Sequence, residues 1–175
     1  MAETKLEGNT IHTNGDLPHV GSPAPDFNLT GKDLNDVSLA DFGDKRKLIY
    51  IVPSLDTPVC AESTKKINQF VEQRPDVHAL IVSADLPFAM DRFCSVEGLE
   101  RVTVLSMMRD RNFARDYGVL IQDGPLAGIT ARAMLVLDAD NLVMHAQLVP
   151  EIGDEPDYDA VFAALDDRAT LSPTQ

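Results

Sequence analysis

Two cysteines, Cys60 and Cys94, are the residues of this 175-residue chain that most suggest chemistry. The first follows the run PSLDTPV, in which a Thr-Pro pair precedes a stretch with helical spacing. If Thr57 is the N-cap, Pro58 is the first helical residue and Cys60 lies in the first turn. A helix N-terminus stabilises an anion, so this position favours the thiolate, the nucleophilic form of cysteine. The sequence therefore predicts a reactive thiol at residue 60.

An unreactive Cys60 is the alternative interpretation. Buried cysteine behaves as a small hydrophobe, and Thr-Pro before a helix is common capping chemistry with no function attached. The chemical interpretation gains from the combination of Pro53, Thr57 and Cys60 at fixed offsets. Average residue usage produces such a combination by chance in on the order of 1% of chains of this length.

Rival cysteine chemistries fit the spacing less well. A dithiol oxidoreductase of the thioredoxin type uses CxxC, and neither cysteine has such a partner. A cysteine hydrolase needs a histidine beside Cys60, for which His145 is the only candidate. A redox sensor or holdase would use the same cysteine pair. Metal binding is not supported, because no metal motif is present and the histidines are scattered singly (His12, His19, His78 and His145).

Short apolar runs predict the strands that position Cys60. They are residues 47–53 (KLIYIVP), residues 77–85 (VHALIVSAD) and the run VTVLS. Two further runs in ARAMLVLDADNLVMHAQLV, joined by a polar turn, predict an antiparallel hairpin. Another hairpin is predicted around Glu7-Gly8-Asn9 at the N-terminus.

Helical spacing predicts the remaining elements. Ile67, Phe70 and Val71 mark the helix that follows Cys60, and a second helix begins at Pro87 and carries Cys94. DRNFARDYG predicts a short helix stopped by Gly118, and a C-terminal helix is marked by Tyr158, Val161, Phe162 and Leu165. This alternation predicts one domain over residues 1–175, an α/β sheet with helices on both faces and chemistry at the carboxyl end of a strand.

Charge and composition exclude several classes of partner. The net charge of -13 repels phosphate backbones and anionic lipids, so we expect neither nucleic acid nor membrane as a partner. The N-terminus MAETKLEGNT lacks the apolar region of a signal peptide, and the run LIYIV is too short to span a bilayer. We therefore expect a cytoplasmic rather than a periplasmic protein, with free thiols or a transient disulfide.

The pattern Pro53-x-x-x-Thr57-x-x-Cys60 is similar to the active-site pattern of the peroxiredoxins. The stretch PSLDTPVCAES closely resembles their thiol peroxidase branch, the bacterial atypical two-cysteine enzymes. The resemblance continues through GSPAPDF, SADLPFAMDRFC, DYGVLIQDGPLAGITARA and EPDYDAVFAAL. It implies a thioredoxin-like fold, with a central mixed sheet flanked by helices and an N-terminal β-hairpin extension.

The same resemblance implies roles for five residues. Cys60 matches the peroxidatic cysteine and Cys94, in RFCSVEG, the resolving one. Arg132, in TARAML, matches the active-site arginine of the family. Thr57 would form a hydrogen bond near the sulfur, and Pro53 would shield it.

The function implied is a thiol-specific peroxidase of antioxidant defence that reduces hydrogen peroxide and alkyl hydroperoxides. The reaction would pass through a Cys60 sulfenic acid and a Cys60–Cys94 disulfide that thioredoxin reduces, in a homodimer. No metal, haem, flavin or nicotinamide cofactor is implied. Apolar residues expected near the site, which are Leu55, Phe88, Met90 and Phe93, favour alkyl hydroperoxides.

Overall fold

A seven-stranded mixed sheet organises the computed structural model, which describes residues 1–166. Two strands form a separate small sheet, β1 (Glu3–Leu6) and β2 (Asn9–His12). The seven strands of the main sheet are β3 (Leu29–Gly31), β4 (Asp36–Val37), β5 (Arg46–Ile51), β6 (Val77–Ser83), β7 (Val102–Ser106), β8 (Ala133–Leu137) and β9 (Val143–Leu148). The helices are α1 (Pro58–Glu72), α2 (Pro87–Glu97), α3 (Asn112–Asp116) and α4 (Tyr158–Asp166), with a 3-10 turn at Leu39–Phe42.

The order of strands in the main sheet is β4-β3-β7-β6-β5-β8-β9. The strands β5, β6 and β7 run parallel, as the strand–helix alternation predicts, and β8 and β9 form the predicted antiparallel hairpin. Strand β8 also pairs antiparallel with β5, with Ile51 opposite Ala133. The short strands β3 and β4 were not predicted, because two or three residues carry no measurable periodicity.

Strand β5 lies in the interior of the sheet, between β6 and β8, and is buried on both faces. Leu48 and Tyr50 point into a core formed with α1, α2 and α4, whereas Ile49 and Ile51 point into a second core that includes α3. This alternation follows from the two-residue period of a strand. The prediction of helices on both faces of the sheet is confirmed.

Helix α1 packs on the sheet through a stripe of side chains that includes Cys60, Ser63, Ile67 and Val71. Residues three or four positions apart share one face of a helix, so Cys60 lies in line with the apolar residues that anchor α1. The sulfur is therefore buried in the core rather than exposed on the outer face of the helix.

Helix α2 begins at Pro87, as predicted, and ends at Gly98, which takes the left-handed conformation with φ of 67°. The carbonyl of Cys94 accepts the N–H of Leu99 at 3.0 Å, so this cysteine lies in the capped last turn of α2. The two cysteines thus occupy opposite kinds of helix end, the first turn of α1 and the last turn of α2.

The predicted N-terminal hairpin, β1–β2, turns at Glu7 and Gly8, which both have positive φ. It packs through Ile11 on a small apolar cluster with Ile121, Ala131 and Ile152. Backbone hydrogen bonds at 2.9 and 2.8 Å join Lys5 to the segment 150–152. The hairpin therefore holds in place the segment that carries the Ile152 carbonyl.

The C-terminal helix, α4, is confirmed, with Val161 and Leu165 buried against the sheet. Within the described range, 1–166, no helix combines the length and apolar character needed to cross a membrane. The expectation of one domain over 1–175 stays a prediction, and residues 167–175 lie outside the described part of the chain.

Candidate active site

The sulfur of Cys60, in the first turn of α1, lies 2.9 Å from Nη1 of Arg132. Both side chains are buried. Arginine has no acceptor, so the guanidinium must donate and the sulfur must accept. Because a charge-assisted hydrogen bond is stronger than a neutral one, this contact favours Cys60 as a thiolate. The structure thus brings together two residues that are 72 positions apart in the sequence.

Arg132 is held by two further partners and is only 1% exposed. Its Nε donates to the carbonyl of Ile152 at 2.9 Å, and Nη1 also donates to the hydroxyl of Tyr50 at 2.9 Å. Burial opposes the charge, but Tyr50 and Cys60 together raise the pKa of Arg132, which therefore stays protonated. The hydroxyl of Tyr50 in turn donates to Ser63 Oγ on α1, at 3.0 Å.

Thr57 is the N-cap residue of α1, followed by Pro58 at the first helical position, as predicted. Its hydroxyl, however, donates to the carbonyl of Ser54 at 3.2 Å and forms no side-chain cap of the helix. Thr57 is therefore the N-cap by position, but its hydroxyl oxygen accepts no N–H from the first turn of α1. Pro53 is buried between β5 and this loop. The roles implied for Thr57 and Pro53 stay predictions.

The loop before α1 is tied to the end of β6 by Asp85. This carboxylate accepts the Ser54 hydroxyl at 2.8 Å and the Leu55 backbone N–H at 2.7 Å. It also accepts the Ser83 hydroxyl at 2.7 Å. Since α2 begins two residues after Asp85, a single side chain links the approach to Cys60 with the helix that carries Cys94.

A groove of about 770 Å³ lies between this loop, the first turn of α1 and α2. Thr57 and Pro58 form one wall, and Phe93 and Val96 of α2 form part of the other. Of the apolar residues expected here, Leu55 and Phe93 line the groove, Met90 is in the core and Phe88 is exposed on α2. The groove is open enough to admit a small organic molecule.

Cys94 is a free thiol, as is Cys60, and both belong to the same apolar core. Burial raises the pKa of the Cys94 thiol. The fold therefore keeps Cys94 protonated and covered, whereas Cys60 has a cation beside its sulfur.

The structure gives no support to a cysteine hydrolase with His145 as its base. His145 is on β9 and forms a hydrogen bond with Gln147 at 2.8 Å between the two Nε2 atoms, while the side-chain partner of Cys60 is Arg132. This arrangement does not supply the histidine base that a cysteine hydrolase needs. Across residues 1–166, no group of three or more His, Cys, Asp or Glu residues is arranged to hold a metal ion.

The chain is similar to known proteins over most of its length. The sequence model of the Redoxin family matches residues 19–162. The chain is also 51% identical over 165 residues to a thiol peroxidase from Mycobacterium tuberculosis, covering 94% of this chain and 99% of that protein. The chain belongs to the thiol peroxidases of the redoxin family. It is a peroxiredoxin-type peroxidase, as the resemblance in sequence implied.

Solved structures of thiol peroxidases and peroxiredoxins share the fold. A peroxiredoxin-like protein from Aquifex aeolicus matches with a TM-score of 0.88 and 41% identity, covering 95% of this chain and 96% of its own. A thiol peroxidase from Chromobacterium violaceum matches with a TM-score of 0.89 and 27% identity, covering 97% and 98%. The predicted thioredoxin-like fold with an N-terminal hairpin is confirmed.

Tyr50 and Asp85 touch the site of this thiol peroxidase but were not singled out from the sequence. Both interrupt or end apolar strands, and a buried polar side chain there must find a hydrogen-bond partner. That rule identifies the residues but not the partners, which depend on how the strands and helices pack.

Replacing Asp85 with alanine should loosen the loop that leads to Cys60. The Leu55 N–H and the Ser54 hydroxyl would lose their acceptor, which lowers the free energy of unfolding by about 1–3 kcal/mol. Misplacement of the loop should slow the oxidation of Cys60 by hydrogen peroxide about tenfold. Urea denaturation and stopped-flow kinetics measure the two effects. Asp33→Ala is the matched control, because that exposed aspartate bonds only locally to Asn35; equal oxidation rates in the two variants would contradict the role of Asp85.

Proposed function

We propose that Cys60 is the peroxidatic cysteine and Cys94 the resolving cysteine of this thiol peroxidase. The observation that carries the proposal is the contact between Arg132 Nη1 and Cys60 Sγ at 2.9 Å, in the first turn of α1. A buried cation and the N-terminus of a helix both stabilise negative charge on the sulfur. The same donors are positioned to stabilise the charge that leaves when a peroxide bond breaks.

The first step is an in-line attack of the Cys60 thiolate on one peroxide oxygen. The S–O bond forms as the O–O bond breaks, and the departing alkoxide or hydroxide takes a proton to leave as alcohol or water. Cys60 is oxidised to the sulfenic acid, and the peroxide is reduced by two electrons. Arg132 and the first-turn N–H groups hold the peroxide, with Thr57 on the wall of the groove and Pro53 shielding the sulfur.

The second step is condensation with Cys94. Its sulfur attacks the sulfenic sulfur, water leaves and an intramolecular disulfide forms. A disulfide requires Cα atoms within about 7 Å, and the two cysteines lie on different helices. Both are in end turns, where backbone hydrogen bonds are fewest, so we infer that the first turn of α1 and the last turn of α2 unwind together.

The third step restores the thiols. A dithiol of the thioredoxin type attacks the disulfide, passes through a mixed disulfide and leaves oxidised, and the two electrons return Cys60 and Cys94 to thiols. The acceptance of peroxides and a thioredoxin-type reductant follows from membership of the thiol peroxidases. Thioredoxin itself as the reductant is part of the proposal.

Intact mass after one equivalent of cumene hydroperoxide tests both cysteine roles. Reduced wild-type protein should lose the mass of two hydrogen atoms within seconds, because the internal disulfide forms. Cys94→Ser should instead gain one oxygen at Cys60, because its sulfenic acid has no thiol to condense with. Hydrogen exchange on the oxidised wild type should show lost protection at both helix ends.

One outcome would contradict the cysteine roles, and another would contradict the unwinding of the two helix ends. Unchanged wild-type mass would mean that Cys60 is not an activated nucleophile, and the fold would then be present without its chemistry. Retained amide protection in both end turns of the disulfide form would leave the cysteine roles intact but exclude the unwinding.

Alkyl hydroperoxides are the proposed preferred substrates, because Leu55, Phe93 and Val96 give the groove apolar walls. In a thioredoxin-coupled assay, kcat/KM for cumene hydroperoxide should exceed that for hydrogen peroxide by about tenfold. Replacing Phe93 with alanine should remove most of the difference by raising KM for the organic peroxide alone. Equal kcat/KM values for the two peroxides in the wild type would exclude the preference. Turnover in the absence of thioredoxin would show that thioredoxin is not the required reductant.

A homodimer is proposed through the exposed apolar face of α2. Leu86, Phe88 and Val96 are 54%, 66% and 73% exposed, and the two α2 residues are eight positions apart on one face. Phe88→Glu should convert the dimer to a monomer in sedimentation velocity. Val20→Glu, a change at an equally exposed residue (67%) outside this face, is the control and should leave the dimer intact. A monomeric wild type at micromolar concentration would exclude the dimer.

A further inference from the structure

Tyr50 is a polar residue in an otherwise aliphatic part of β5, an interior strand of the sheet. It is fully buried in β5, between aliphatic neighbours, and its hydroxyl contacts two polar groups on different elements. Arg132 Nη1 donates to this hydroxyl at 2.9 Å, and the hydroxyl is 3.0 Å from Ser63 Oγ on α1. The nitrogen that contacts Tyr50 is also the one that contacts Cys60.

The hydrogen bonds around Tyr50 have one consistent direction. Arginine can only donate, so the Tyr50 oxygen accepts from Arg132 and its proton is available for Ser63. The Ser63 hydroxyl then donates to the backbone carbonyl of Val59 in the first turn of α1. We call this sequence, Arg132 to Tyr50 to Ser63 to Val59, the hydroxyl chain. It starts at the side chain that contacts Cys60 and ends at the residue before Cys60.

The hydroxyl chain depends on Tyr50 staying neutral. Burial raises the pKa of Tyr50, so its hydroxyl keeps its proton throughout the physiological range. A neutral hydroxyl can accept from Arg132 and donate to Ser63 at the same time, whereas phenylalanine of nearly the same shape can do neither.

We propose that Tyr50 is a positioning residue with two opposed effects on the peroxidase cycle. It holds Arg132 against the Cys60 sulfur, which favours attack on the peroxide. Through Ser63 it also holds the first turns of α1 against the sheet, which opposes the unwinding that brings Cys60 to Cys94. The inference rests on the cysteine roles proposed above and concerns the balance between the two steps.

Tyr50→Phe should therefore change the two steps in opposite directions. Without the hydroxyl, the guanidinium is anchored only by Nε on the Ile152 carbonyl and can rotate away from the sulfur. Oxidation of Cys60 should slow about fivefold, the kinetic equivalent of one lost hydrogen bond. Condensation with Cys94 should accelerate about threefold, because α1 loses its tether. A variant that is merely less stable has no reason to show this split.

The experiment measures each step separately by rapid quench and intact mass. The gain of one oxygen in a Cys94→Ser background gives the oxidation rate, and the loss of one water from the sulfenic acid form of the enzyme with both cysteines gives the condensation rate. Alkylation of Cys60 at a fixed neutral pH should slow in Tyr50→Phe, because a loosened Arg132 stabilises the nucleophilic sulfur less. Ser63→Ala, which cuts the chain beyond Tyr50, should also accelerate condensation.

Tyr117→Phe is the matched control. Tyr117 is equally buried, and its hydroxyl donates to the carbonyl of Pro25 at 2.7 Å in the core on the opposite face of the sheet. This variant should keep both rates and the Cys60 alkylation rate of the wild type. Equal rates in Tyr50→Phe and Tyr117→Phe would overturn the inference, as would a Tyr50→Phe enzyme in which both steps slow together. A wild type whose Cys60 is not oxidised would instead overturn the proposed function itself.

Discussion

A buried guanidinium group is the constraint on which this site depends. Removing a charge from water is costly unless the protein supplies partners for it, and Arg132 is almost completely removed from water. Its partners are the Cys60 sulfur, the Tyr50 hydroxyl and the Ile152 carbonyl. They come from α1, from β5 and from the segment after β9, so the arginine is stable only when all three parts of the chain are assembled.

The middle of helix α1 and its first turn have different roles in the structure. The middle of α1 is anchored by Ile67 and Val71, which are fully buried in the core against the sheet. The two cysteines of the proposed mechanism lie in end turns, whose backbone groups are only partly paired within the helix. In the proposed mechanism, the same helix keeps its core contacts while its first turn unwinds after Cys60 is oxidised.

Local patterns in the sequence predict the central part of this fold well. Apolar runs locate β5, β6 and β7, and the Thr57-Pro58 pair locates the start of α1. Local patterns do not predict the partner of Cys60, because Arg132 reaches the sulfur only through the pairing of β5 with β8. Family resemblance alone pointed to Arg132. Capping rules locate Thr57 at the start of α1, but they do not predict that its hydroxyl donates to the Ser54 carbonyl and that its oxygen accepts no first-turn N–H. The hydroxyl chain was also beyond prediction, because periodicity shows that Tyr50 is buried but not what it contacts.

The antiparallel register of β5 and β8, with Ile51 opposite Ala133, also limits how this chain can vary in length. A one-residue slip would turn Arg132 to the opposite face of the sheet, away from Cys60. A single-residue insertion or deletion within β8 therefore separates the two groups, however conservative it is in composition. The polar turn between β8 and β9 lies at the far end of the strand, where the pairing already shifts between Val136 and Leu137. Insertions there leave Arg132 in register, so this turn is the place to attach a tag or probe without disturbing the thiol.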